Sequence, residues 1–232
     1  MDTAEAFALV SEAWLEMSIR VNYPYTFTWL GRPLIQYPED LLRLQELIYR
    51  VQPDVIVETG VAHGGSLIFL ASLCRLIGRG RVIGVDIDIR PHNRAATESH
   101  PLKPFITLVQ GSSIDPAVVA SVKAMIAPDE NALVVLDSNH SKAHVRQELE
   151  AYAPLLKTGS YVVAMDGHVM EAAAGSSRGA ADWATNNPNA AVSEFVREHP
   201  DYAAETPPFI FNESVLTEGI TGCRGGFVKR IR

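Results

Sequence analysis

The stretch Val55-Ile56-Val57-Glu58-Thr59-Gly60-Val61-Ala62-His63-Gly64-Gly65-Ser66 decides the fold. A short β-branched run enters a turn with glycine at 60, 64 and 65, and that turn opens directly into the helix-compatible Ser66 to Ile77. Strand, glycine turn and helix in this order make the first unit of an open α/β sheet, whose ligands bind where strands end and helices begin. Glycine lets the backbone turn tightly and lets a ligand approach with no Cβ in the way, while the helix N-terminus offers free N–H donors. The spacing is not that of a dinucleotide fingerprint, because Ala62 stands where the second glycine would be. No Gly-Lys-Ser/Thr ending marks a P-loop either.

Downstream the unit repeats. Arg81 to Asp86, Phe105 to Val109, Leu133 to Asp137 and Tyr161 to Met165 read as strands. Pro91 to Ser99, Asp115 to Ile126 and Ser141 to Leu156 lie between them as crossover helices. Phe209 to Phe211 and Gly226 to Ile231 are separated by a short polar stretch and are expected to close the sheet as an antiparallel pair. The predicted architecture is Rossmann-like: a mostly parallel seven-stranded sheet with an antiparallel closing strand pair and helices on both faces. One domain is expected over 1–232, divided into a helical addition (1–52), a cofactor-binding core (53–170), a lid (171–200) and closing strands (201–232). In the helical addition, Glu39 to Val51 leads into Pro53, and Phe7, Val10, Trp14 and Met17 recur at helical spacing as a stripe expected to pack onto the domain.

Composition bounds what such a domain does. The 232 residues are 47% hydrophobic and 20% charged, which suits one packed domain and excludes a disordered tail. The formal charge of −7, with basic residues scattered, argues against a nucleic-acid or anionic-membrane surface. No apolar run approaches the roughly eighteen residues of a membrane span. Met1 to Glu5 lacks a basic and apolar leader, and Cys74 and Cys223 have no metal or redox spacing, so a cytoplasmic location with incidental thiols is expected.

The strand ends carry the chemistry. Asp86 ends the second strand, where a carboxylate takes ribose hydroxyls, and Gly111-Ser112-Ser113 follows the third with small polar groups suited to an adenine edge. An adenosyl ligand without a pyrophosphate fits the glycine spacing, which favours S-adenosylmethionine over NAD. Asp137 and Asp166 end the fourth and fifth strands, and adjacent strands lie about 5 Å apart. Each aspartate alone would serve equally as a helix cap. Together they favour a shared hard cation such as Mg²⁺. His140, three residues after Asp137, is read as the base that takes a hydroxyl proton, with His63, His144 and His168 as neighbours of the same edge.

These residues resemble the cephalosporin hydroxylase and rhamnosyl O-methyltransferase group of class I S-adenosylmethionine-dependent methyltransferases. The resemblance runs from about Phe27 to the C-terminus. It is carried by Trp29-Leu30-Gly31-Arg32-Pro33-Leu34, Glu58-Thr59-Gly60, His63-Gly64-Gly65-Ser66, Leu136-Asp137-Ser138-Asn139-His140-Ser141, Tyr152-Ala153-Pro154-Leu155, Asn187-Pro188 and Gly225-Gly226-Phe227-Val228-Lys229-Arg230. It implies that Glu58, Gly60, Gly64, Ser66 and Asp86 hold the cofactor and that Asp137 and Asp166 bind Mg²⁺. A similar arrangement in catechol O-methyltransferase implies His140 as the base. The full expected cofactor set is Glu58, Gly60, Ala62, Gly64, Gly65, Ser66, Asp86, Ile87, Gly111, Ser112, Ser113, Asp137 and Ser138. Two positions depart from the group: Met165 stands where many members carry the first of an acidic pair, and Gln36 where a lysine is frequent. Water, His168 or Glu171 is then expected to fill the gap.

The expected activity is Mg²⁺-assisted O-methylation of a hydroxyl on a small natural product or its sugar, with residues 171–189 closing over the acceptor. The alternatives are an NAD-linked oxidoreductase and a non-catalytic partner of a tailoring enzyme such as a hydroxylase. A homo-oligomer is open, with Phe7 to Met17 as a contact.

Overall fold

The computed structural model describes residues 3–174, 176–177 and 179–232. Met1, Asp2, Gly175 and Arg178 lie outside the described residues, the last two within the stretch read as a lid. Seventeen labelled elements are β1 (Phe27–Trp29), β2 (Arg32–Leu34), β3 (Val55–Thr59), β4 (Arg81–Asp86), β5 (Ile106–Gln110), β6 (Ala132–Leu136), β7 (Tyr161–Ala164), β8 (Tyr202–Ala204) and β9 (Phe227–Arg230), with α1 (Ala4–Arg20), α2 (Pro38–Val51), α3 (Gly65–Ile77), α4 (Pro91–Glu98), α5 (Pro116–Ala124), α6 (Lys142–Tyr152), α7 (Gly167–Ala173) and α8 (Pro188–Glu198).

The main sheet has the order β5-β4-β3-β6-β7-β9-β8. β3 to β7 are mutually parallel, and β9 and β8 add antiparallel at one edge. β4 leaves β3 to one side and β6 joins it on the other, so the strand order reverses at β3, where open sheets leave a ligand crevice. Every residue of β3, β6 and β7 is buried, as strands covered by helices on both faces must be. The faces alternate with the pleat. Ile56, Leu133 and Val135 pack under α2 and α3, while Val55, Val57 and Val134 pack under α6 and α8.

Three expectations are corrected. The penultimate strand is Tyr202–Ala204, not Phe209 to Phe211. Pro207 and Pro208 lack N–H donors and sit just before that apolar run, and Phe209 instead lies under the Arg43 guanidinium, 4.1 Å from its carbon. Buried Asp40 at the start of α2 holds the returning chain by accepting from the Thr221 hydroxyl and from Gly222 N–H, the latter at 2.9 Å. The α1 stripe is only partly the packed face: half-buried Trp14 packs on Tyr23 and Tyr37, but Phe7, Val10 and Met17 are exposed, and Ser11, Leu15 and Ser18 are buried. Both serines satisfy their hydroxyls on helix carbonyls, and their small size lets the helix approach closely, with Ser18 Oγ 3.0 Å from Tyr37 Oη. Finally, the front segment is not only helical. β1 and β2 form a hairpin whose turn puts Leu30 and Gly31 at positive φ, the conformation of a two-residue primed turn. Among the described residues no helix is long and apolar enough to cross a membrane.

Candidate active site

Gly60 brings the two halves of the site together. It has φ +91°, and a Cβ there would overlap the Asp137 carbonyl oxygen, so only glycine lets the end of β3 pass under the end of β6. Gly60 N–H donates to Val85 O at 2.8 Å, and Asp137 N–H to Thr59 O at 2.9 Å. Ala62 adopts φ +45°, strained for a residue with a Cβ, and Gly64 precedes α3 in the same left-handed region. Gly65 abuts the Pro33 carbonyl, so the β1–β2 hairpin is a wall of this loop.

The loop is clamped from outside. Arg32 donates through Nη2 (2.5 Å) and Nε (3.1 Å) to His63 O and through Nη2 to Asn93 Oδ1 at 3.0 Å. Asn93 Nδ2 in turn donates to Ala62 O at 2.9 Å. Asp86 accepts at Oδ2 from the N–H groups of Val61 (2.7 Å) and Ala62 (3.1 Å) and at Oδ1 from Asp88 N–H (2.9 Å). A carboxylate has about four acceptor positions, so three are engaged in holding the glycine loop and the following turn. Ile87, beside it, is 72% exposed and presents an apolar face at the β4 end. Ser66 Oγ donates to Glu58 Oε2 at 3.0 Å, and burial pushes the Glu58 carboxyl up to about 8.

At the β5 and β6 ends, Gly111 N–H donates to Asp86 O at 2.9 Å, and the Ser112 carbonyl accepts from Asp115 N–H at 3.0 Å. Ser113 Oγ and Ser138 Oγ lie 3.1 and 3.3 Å from His144 Nε2, and Ser138 Oγ donates to Glu148 Oε1 at 2.7 Å. Glu148 is fully buried and its Oε2 has no partner among the described residues. This four-residue cluster ties the β5 turn to α6. His144 is expected at this edge from the sequence, whereas Glu148, four residues on along the helix, is a member that the sequence reading missed.

The other edge is built of opposed carboxylates. Gln36 Nε2 donates to Asp137 Oδ2 at 3.0 Å, while Oδ1 faces His140 Nε2 at 3.9 Å. Asp166 Oδ2 lies 3.8 Å from the same nitrogen, and the three atoms all fall within 4.8 Å of one another. Neither aspartate caps a helix: Ser141 precedes α6, and Asp166 precedes α7 at φ +61° without a side-chain cap bond. The fold thus brings Asp137, His140 and Asp166 together at one edge. Burial, then the charges of Asp166 and Glu58, raise the Asp137 carboxyl well above the ordinary range.

Met165, the residue before Asp166, turns into the core, 3% exposed, with Sδ 3.5 Å from Cys223 Sγ. His168 does not supply the missing ligand. Its Nε2 lies 3.2 Å from Glu12 Oε2 on α1 and its Nδ1 3.7 Å from Glu171 Oε2, which links α7 to the N-terminal helix. His140 and Asp166 open onto a cleft of about 650 Å³ walled by Tyr25, Tyr37, Met170 and Trp183, with no lysine or arginine in its lining among the described residues.

The reversed parallel sheet, the glycine turn at its switch point and the acidic pair beside it define a class I methyltransferase fold. The profile of the family described as Rhamnosyl O-methyltransferase/CmcI matches residues 21–231, and the chain belongs to that family. Curated rhamnosyl O-methyltransferases of Mycobacterium tuberculosis (strain H37Rv) and Mycobacterium leprae (strain TN) are each 29% identical, over 144 and 146 residues. These alignments cover 61% and 62% of this chain, and 57% and 62% of those relatives. Among solved structures, "CmcI-N160 apo-structure" superposes with TM-score 0.61 at 22% identity, covering 90% of this chain and 77% of that one. The MycE methyltransferase of mycinamycin biosynthesis, in complex with Mg and SAH, superposes with TM-score 0.54 at 18% identity, covering 94% and 55%.

Proposed function

We propose that the protein is an S-adenosylmethionine-dependent O-methyltransferase that methylates a hydroxyl of a small natural product or its sugar, with Mg²⁺ assisting. The observation that carries this reading is the contact of Gly60 with the Asp137 backbone. It sets the crevice under the glycine loop directly beside the Asp137–His140–Asp166 cluster, one place for a cofactor and the next for an acceptor. The names of the relatives favour it: the curated ones are rhamnosyl O-methyltransferases, and one CmcI structure carries Mg and SAM.

Charge separates this reading from an NAD-linked one. Asp137 lines the glycine-loop crevice and Asp166 the neighbouring cleft, and acidic groups where the two places meet favour a ligand carrying a sulfonium and an ammonium over one carrying two phosphates. Glu58, the glycine loop and Asp86 with Ile87 hold the cofactor, and Ser112, Ser113 and Ser138 stand at its adenine side. Asp137 Oδ1 and Asp166 Oδ2 are hard oxygen donors at an open edge, a set that fits Mg²⁺ with retained water. When bound, S-adenosylmethionine supplies an electrophilic methyl group and the ion lowers the pKa of the acceptor hydroxyl.

His140 Nε2 would accept the acceptor's hydroxyl proton, freeing that oxygen to take the methyl group the cofactor would supply. Tyr25, Tyr37 and Trp183 flank the acceptor, and residues 171–189, with Trp183 and Asn186 on the cleft wall, act as its cover. The aromatic side chains of Tyr25, Tyr37 and Trp183 suit a neutral acceptor. A thermal-shift comparison tests the class: S-adenosylmethionine raises the Tm and NAD does not, whereas a rise with NAD alone refutes the reading.

A further inference from the structure

His140 turns toward the two aspartates the same nitrogen that a base would use. Nε2 lies 3.9 Å from Asp137 Oδ1 and 3.8 Å from Asp166 Oδ2. An ion bonded at about 2.0–2.2 Å holds its ligand atoms roughly 3–4 Å apart, so these three need only small side-chain movements to share one. Gln36 occupies Asp137 Oδ2 and leaves Oδ1 for the cluster. Met165 is withdrawn into the core against Cys223, so its position adds no third oxygen. The third protein donor at this point is therefore the imidazole.

We propose that Asp137, His140 and Asp166 form a mixed nitrogen and oxygen site for a borderline divalent ion such as Zn²⁺ or Co²⁺, and that this ion inhibits by taking the base. Imidazole suits Zn²⁺ and Co²⁺, whereas Mg²⁺ favours carboxylate and water oxygens. Mg²⁺ on the two carboxylates leaves Nε2 free to accept a proton. An ion bonded to Nε2 uses the lone pair that the acceptor's proton needs. Ion binding stands on the cluster alone, while the inhibition rests on the O-methyltransferase reading.

The experiment titrates Co²⁺ and, separately, Mg²⁺ into the ion-free protein and into His140→Ala, without cofactor or acceptor, following heats and, for Co²⁺, the visible d–d absorption. Co²⁺ binds the wild type at least about tenfold more tightly than Mg²⁺, and His140→Ala loses at least about tenfold in Co²⁺ affinity while Mg²⁺ affinity stays within about twofold. Unchanged Co²⁺ affinity in His140→Ala overturns the proposal, as does Mg²⁺ bound as tightly as Co²⁺. His140 sits on a turn with its side chain 28% exposed, so the variant is expected to fold. Wild-type protein labelled with ¹⁵N in its histidines gives an independent check, since Zn²⁺ must shift the His140 Nε2 resonance and an unmoved resonance refutes the site. In turnover, Zn²⁺ stops methyl transfer and a chelator followed by Mg²⁺ restores it. Binding without inhibition overturns the inhibitory half. A protein that binds Co²⁺ through His140 yet transfers no methyl group under any condition fails the methyltransferase reading and leaves the ion site standing.

Discussion

The two edges of the crevice are built on opposite electrostatic plans. At the β3 and β4 ends the groups that shape the loop are satisfied within the chain, with Thr59 Oγ1 a buried exception: Asp86 takes three backbone N–H groups, Arg32 and Asn93 hold the carbonyls of His63 and Ala62, and Ser66 serves Glu58. At the β6 and β7 ends two carboxylates oppose each other across an imidazole, with Gln36 as a neutral donor to one of them. A satisfied edge is rigid before any ligand arrives, whereas an edge of like charges is completed by a cation. The difference assigns shape to one side and chemistry to the other.

The comparison breaks most severely if the two sides are forced apart. Gly60→Ala places a Cβ into the Asp137 carbonyl at a positive φ, and is expected to cost roughly 3 kcal/mol or more of stability in denaturant unfolding and to abolish cofactor binding. His140→Ala removes the proton acceptor alone. We expect kcat to fall about 10²–10⁴-fold while calorimetric affinity for S-adenosylmethionine holds, because His140 lies on the chemical edge.

Acidity probes the buried carboxyls. Glu58 is pushed up to about 8, above its unfolded value, so the folded state holds a proton that the unfolded chain has released. Stability of the ligand-free protein therefore falls as pH rises from about 4.5 toward about 8, by a few kcal/mol at most. Glu58→Gln flattens that slope in thermal melts taken across the range. The smallest effect belongs to the outer clamp: Arg32→Ala frees the His63 carbonyl and is expected to weaken cofactor binding about tenfold, with kcat at saturating cofactor little changed.

What the sequence disclosed follows the same division. Parallel strands announce themselves through continuous β-branched runs, and Asp137, His140 and Asp166 stand at strand ends where local pattern suffices to place them. The hairpin at Phe27 to Leu34 was hidden because its strands are three residues each and its turn uses Leu30, an unusual residue at positive φ. The buried face of α1 is only partly legible, because Ser11 and Ser18 satisfy their own hydroxyls on the helix, which hydrophobic periodicity does not register. The clamp on the glycine loop reaches from Arg32 to His63 and Asn93, a relation that no local window contains. Met165 was legible as a missing acid, but only packing against Cys223 shows where its side chain goes.

Titration calorimetry of S-adenosylmethionine into ion-free wild-type protein, His140→Ala and Gly60→Ala tests the division most directly. The account predicts equal affinity for the first two and none for the third. Absence of binding to the wild type, or a loss in His140→Ala as large as in Gly60→Ala, would contradict it.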